Sequence, residues 1–155
     1  MTNLSAPAWD IHQTNRRFYA PDQSRSVGYA NLRAVGQNQI PVGTLALLSS
    51  CGGAIISERA AGPPVWSRDG DKLAFPECYQ TIFRKRFQRI VVVDTVEETI
   101  TLYKEKYTCL LLRKFEDNFI YGRDAGEKIS LLAFNTITSA IHTKTNYRVK
   151  EIGLP

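Results

Sequence analysis

About ten apolar runs of strand length follow one another along this chain, separated by turn residues and with no helical period between them. A weak run through Val35 precedes runs at residues 44–48, 54–57, 65–67 and 73–75. After a polar insert come 89–94, 99–103, 108–113, 119–121 and 129–134. An amphipathic helix needs a longer window with apolar residues at every third or fourth position, and no such window stands out here. Short runs broken by Glu97-Glu98, Glu116-Asp117-Asn118 and Asp124-Ala125-Gly126 instead predict an all-β antiparallel meander of about ten short strands. Two runs, Ile90-Val91-Val92-Val93 and Cys109-Leu110-Leu111-Leu112, are continuous rather than alternating, so their strands are expected to be covered on both faces. A two-sheet β-sandwich with covering loops is one architecture that does this.

Residues 63–75 carry the sharpest local signal. Asp69-Gly70 is a turn with a mechanism, because glycine accepts positive φ without steric cost and an aspartate side chain bonds the backbone two residues on. Val65 and Trp66 before the turn and Leu73, Ala74 and Phe75 after it make a β-hairpin with Trp66 as its core anchor. The spacing Pro64-x-Trp66-Ser67-x-Asp69-Gly70-x-x-Leu73-Ala74-Phe75 resembles the repeat signature of TolB-type β-propellers, with Arg68 standing where that family usually has proline. The resemblance implies blade-like architecture and a binding platform. A blade takes about 40–45 residues and a closed ring at least four blades, so a strand region of residues 44–141 implies a partial, open propeller. Its uncovered faces would need the N-terminal arm, a second copy or a partner to shield them.

At 155 residues the chain has the length of a single domain able to bury a sizeable core. Residues 1–26 read as an irregular arm that packs aromatics, 27–141 as the β-meander body, and 142–155 as a tail or edge strand in which Thr145, Tyr147 and Val149 alternate with polar residues. Three cysteines, Cys51, Cys78 and Cys109, lie at wide spacings without a C-x-x-C pair, which disfavours a disulfide framework and a structural zinc site. No secretory signal is evident at Met1, and no run reaches the ~18 apolar residues of a membrane helix. The expectation is a cytoplasmic protein with no membrane association.

The sequence lacks a nucleophile elbow, a phosphate-binding glycine loop, a dinucleotide fingerprint and a metalloprotease motif. His12 and His142 are the only histidines and lie in the least regular segments. Cys51-Gly52-Gly53 reads as a hairpin turn rather than a reactive thiol, and Asp69-Gly70-Asp71 lacks the ligand spacing of a calcium loop. No catalytic, metal or cofactor-binding residue is assigned, and the protein is expected not to be an enzyme.

One segment favours binding. Tyr79, Phe83, Arg84, Lys85, Arg86, Phe87 and Arg89 interleave aromatic rings with four cations in a protein of net charge +5. Arginine and aromatic side chains are the types enriched at interface hot spots, and like charges in such density are tolerated where solvent or an acidic partner screens them. The residues from Phe83 to Arg89 are expected to form a loop, with Phe83 and Phe87 making one apolar anchor. The leading expectation is a protein-binding module, for which a neutralising or immunity-type partner of a toxin is an example of setting. RNA or another polyanion bound through the basic aromatic loop 83–89 is the alternative. Homo-oligomerisation is compatible with either.

Overall fold

The computed structural model describes residues 17–36, 39–50, 52–83, 85–126 and 128–147. Twelve strands and no helix occur among them: β1 (Arg17–Tyr19), β2 (Arg25–Val35), β3 (Ile40–Ser49), β4 (Gly52–Ala60), β5 (Val65–Trp66), β6 (Lys72–Gln80), β7 (Arg86–Asp94), β8 (Thr99–Tyr103), β9 (Leu110–Glu116), β10 (Phe119–Ala125), β11 (Ile129–Asn135) and β12 (Ile141–Asn146). All ten expected runs are strands. The two additions lie at the ends, where β1 pairs with β2 inside the segment read as irregular, and β12 is the edge strand expected of the tail. Val149 and the first sixteen residues lie outside the described residues.

The strands form two antiparallel sheets. The larger runs β1-β2-β3-β4-β6-β7-β8-β12, with β5 paired to β6, and the smaller runs β11-β10-β9. The large sheet does not close on itself, since β1 and β12 stand at its opposite ends. One face of β2, β3, β4, β6 and β7 contributes Tyr29, Leu45, Ile56, Phe75 and Val91 to a single core, so the sheet must curl around it. It bends at a register shift between Ala30 and Arg33, opposite Gly43. A Cβ at Gly43 would lie 2.6 Å from the Ala30 carbonyl oxygen, so the backbones can approach this closely only because the residue is glycine.

A second core explains the continuous apolar run of β7. Successive side chains of a strand point to opposite faces, so Val91 and Val93 enter the first core while Ile90 and Val92 enter the second. There they meet Leu110, Leu112, Phe115, Ile120 and Phe134 of the small sheet. The β6–β7–β8 meander is thus a shared middle layer. Each fully buried side chain of this kind contributes roughly 1.5–3 kcal/mol relative to exposure, which favours residues 90–93 being apolar without alternation.

The Asp69-Gly70 turn joins β5 to β6, with Val65 opposite Ala74 and Trp66 opposite Leu73. Gly70 takes φ +81, Ser67 Oγ donates to Asp69 at 2.6 Å, and the Asp71 N–H donates to the same carboxylate at 3.0 Å. Trp66 is half-buried at the rim of the first core, its indole N–H donating to the Phe18 carbonyl at 2.9 Å. That bond ties β1 onto the body.

A polar residue joins the two sheets. Gln88 is only 2% exposed, yet its side-chain oxygen accepts from the Leu110 N–H at 2.6 Å and its amide nitrogen lies 3.3 Å from Cys78 Sγ. Its backbone exchanges hydrogen bonds with Tyr107 at 2.7 and 2.8 Å. Nothing in the run Phe87-Gln88-Arg89 marks Gln88 as the residue carrying the polar link between two apolar cores.

Candidate partner-binding site

The strands β6 and β7 form a long ribbon, paired from Lys72 opposite Asp94 to Gln80 opposite Arg86. Because this ladder continues through Arg86, the expected loop from Phe83 to Arg89 is shorter than the sequence suggests. Arg86, Phe87 and Arg89 belong to β7. The Thr81 N–H donates to the Lys85 carbonyl at 2.9 Å, and the Lys85 N–H to Thr81 Oγ1 at 3.1 Å, closing the turn. Arg84 lies outside the described residues.

The ribbon separates Phe83 from Phe87, correcting the expectation of one shared anchor. Phe83 is 86% exposed at the tip, where its apolar companion is Ile82 at 91%. Lys85 and Arg86 are exposed beside them. Phe87 is half-buried on the flank, opposite Tyr79 in the ladder. Alternation along β7 therefore splits the six described residues among the seven expected between a tip and a flank.

On the flank, Tyr79 and Phe87 stack with centroids 5.5 Å apart and planes 17° from parallel. Arg59 of β4 lies 4.9 Å from the Tyr79 ring centre, Arg89 lies 5.4 Å from Tyr79 and 5.2 Å from Phe87, and Lys106 lies 4.8 Å from Phe87. Each is within the reach at which a cation is attracted by an aromatic face. Among the described residues the buried Arg89 Nε has no hydrogen-bond partner; the guanidinium lies against the Tyr79 and Phe87 rings. Glu77, across the ladder from Arg89, accepts from Ser57 Oγ at 2.6 Å and from the Tyr79 hydroxyl. Burial first, and then this bond to the carboxylate, push the Tyr79 phenol well above its ordinary range, so it is neutral at physiological pH.

Between the ribbon and β4 the large sheet parts. The two strands are paired only at Ala60 and Glu77, and beyond that point a cleft of about 530 Å³ opens. It is lined by Arg33 and Val35 of β2, Val42 of β3, Glu58 and Arg59 of β4, Cys78, Tyr79 and Gln80 of β6, and Arg86 of β7. Arg33, Arg59 and Lys106 were not readable as site residues, because they lie far along the chain from the basic segment and carry no local motif.

The remaining chemistry is quiet. Burial pushes the Cys78 thiol up to about 11 and raises that of Cys109, which disfavours the thiolate a nucleophile needs. His142 is exposed on β12, while His12 and Cys51 lie outside the described residues. Among the described residues no group of three or more His, Cys, Asp or Glu side chains is placed to hold a metal ion. Compared with protein-family models, curated proteins and solved structures, the chain matches none.

Proposed function

We propose that this protein is a binding module that docks another protein through the tip of the β6–β7 ribbon. The observation that carries the reading is the exposure of two large apolar side chains, Ile82 and Phe83, side by side on a turn. Leaving such a pair in water forgoes burial worth roughly 1.5–3 kcal/mol for each side chain, and a partner pocket recovers it. Lys85 and Arg86 frame the pair with positive charge, so the complementary surface is an apolar depression rimmed by carboxylates.

The rings on the flank argue against the polyanion reading. Base stacking on a strand surface uses uncovered aromatic faces, whereas Tyr79 and Phe87 face each other and are attended by Arg59, Arg89 and Lys106. The likeness of the β5–β6 turn to propeller repeats belongs to the same proposal, because a blade-like meander is a platform from which a turn is displayed.

The test is capture from an extract of the native cell with stepwise salt elution, analysing each fraction for protein and for nucleic acid. Replacing Ile82 and Phe83 together by Ser should leave the fold intact and weaken capture of a protein partner at least about tenfold, or ~1.4 kcal/mol. Undiminished capture by the folded double variant would overturn the tip as the site. Elution of nucleic acid alone, falling steeply with salt, would replace the reading with the polyanion one.

A further inference from the structure

The cleft between β4 and β6 has a composition of which docking at the ribbon tip uses only Arg86. Three arginines line it, Arg33, Arg59 and Arg86, against one carboxylate, Glu58, which leaves a formal excess of two positive charges. Its other walls are neutral: Tyr79 and Cys78 keep their protons, Gln80 is an amide, and Val35 and Val42 are apolar. None of the three arginines forms an ion pair among the described residues, where Lys114 with Glu116 at 3.8 Å is the one salt bridge.

Two of these guanidinium groups are supported without spending their hydrogen-bond donors on a carboxylate. Arg59 rests over the Tyr79 ring at 4.9 Å. Arg86 lies along Gly36, whose absent Cβ would sit 3.6 Å from both Arg86 Cδ and Nη1. Arginines positioned by packing lose less freedom on meeting an anion, and each offers a planar fork matched to phosphate or carboxylate oxygens. The volume, about 530 Å³, falls within the range of small-molecule sites. An opening between two adjacent strands also exposes backbone donors and acceptors that a fully paired sheet would satisfy.

We infer that this cleft is a binding site for a small polyanion bearing two or more adjacent phosphate or carboxylate groups, with Arg33, Arg59 and Arg86 as its ligands. The acidic groups lie toward the three arginines and any apolar remainder lies on Val35 and Val42. The site meets the ribbon tip only at Arg86, since neither Ile82 nor Phe83 lines it. Ligand binding through Arg33 and Arg59 and docking through Ile82 and Phe83 can therefore fail independently.

Calorimetric titration of the whole chain at fixed ionic strength decides the matter, with pyrophosphate in one arm and tricarballylate, a tricarboxylate, in the other. Saturable one-to-one binding of at least one probe is expected, and the arm that binds identifies phosphate or carboxylate as the source. Arg33→Gln combined with Arg59→Gln should weaken that binding at least tenfold. A control variant, Arg68→Gln with Lys104→Gln, removes the same charge elsewhere and should bind as the wild type does. If the arginine double variant is unfolded by its melting curve, Arg33→Glu alone serves, because Arg33 is exposed and takes part in no ring contact among the described residues. It should weaken binding at least fivefold. Failure of both probes to bind, or equal weakening in the control variant, would overturn the assignment.

Discussion

The two ends of the β6–β7 ribbon lie under opposite conditions. At its root, Leu73, Phe75, Ile90 and Val93 are completely buried, and β7 is packed between two cores. At its tip, Ile82 and Phe83 are almost as exposed as a side chain can be. The same two strands and one unbroken ladder supply both. The difference teaches that display depends on anchorage, since a turn presenting apolar groups keeps its direction only if the strands behind it cannot pivot. Between these ends lies a transition zone, Glu77 to Gln80 against Arg86 to Arg89, where the apolar pattern gives way to rings, cations and one carboxylate.

The contrast is broken most strongly at the root. Phe75→Ala should cost about 3–5 kcal/mol in urea denaturation, the usual range for truncating a buried phenylalanine. A loss under about 1 kcal/mol would mean that the root is not packed as described. Gln88→Ala should cost less, about 1–3 kcal/mol, because the buried Leu110 N–H is left without its acceptor. Hydrogen exchange at Leu110 should accelerate more than at Val91, and uniform acceleration would remove Gln88 as the link between the sheets.

Alkaline pH attacks the same core from another side. Burial holds the Tyr29 phenol well above its ordinary 10.0, and its hydroxyl donates to the Ala61 carbonyl at 2.6 Å. A proton held more tightly by the folded state gives stability that is fully present below pH 10 and is lost as pH rises above it. Absorbance of ionised tyrosine should therefore show a component that appears only with unfolding, to which Tyr79 and Tyr107 also contribute, and that component should shrink in Tyr29→Phe. An undiminished component in that variant would assign the effect to the other tyrosines.

Smaller shifts test the exposed end and the turn. Ile82→Ser with Phe83→Ser should move folding stability by no more than about 0.5 kcal/mol, whatever it does to binding. A larger loss would place the tip in a packed setting. Least of all, the Asp69 carboxyl is held below 3.8, first by the Ser67 hydroxyl and then by the Asp71 N–H. Its contribution is present above pH 3.8 and fades as pH falls through the lower folded value, so Asp69→Ala should flatten the acid limb of the melting-temperature profile slightly. An unchanged acid limb would show that the turn is held by Gly70 alone.

Much of the fold was legible because its signals are local. Asp69-Gly70 announces its own turn, and the unbroken apolarity of residues 90–93 and 109–112 follows from coverage on both faces. β1 was not legible: Arg17, Phe18 and Tyr19 have no clean period, and their pairing with residues 26–28 depends on the neighbouring strand. The candidate site was legible only in part. The basic segment identified the ribbon, but its division into tip and flank depends on which residues alternate to which face. Arg33 and Arg59 reach the cleft only because the sheet curls and then parts at Ala60, a long-range event that no short window contains.

After β8 the chain leaves the large sheet, builds β9 to β11, and returns as β12 to pair with β8. On a ribosome working at about 5–20 residues per second, β8 would wait several seconds as an open edge before its neighbour is made. Its sequence, Thr-Ile-Thr-Leu-Tyr, carries no charge or proline to repel a stray strand during that interval. Packing of the small sheet against the far face of β7 does nothing to cover that edge. The pace of synthesis between Tyr103 and Ile141 therefore becomes a determinant of yield, and slowing translation there should lower the fraction of newly made chains that stay out of aggregates.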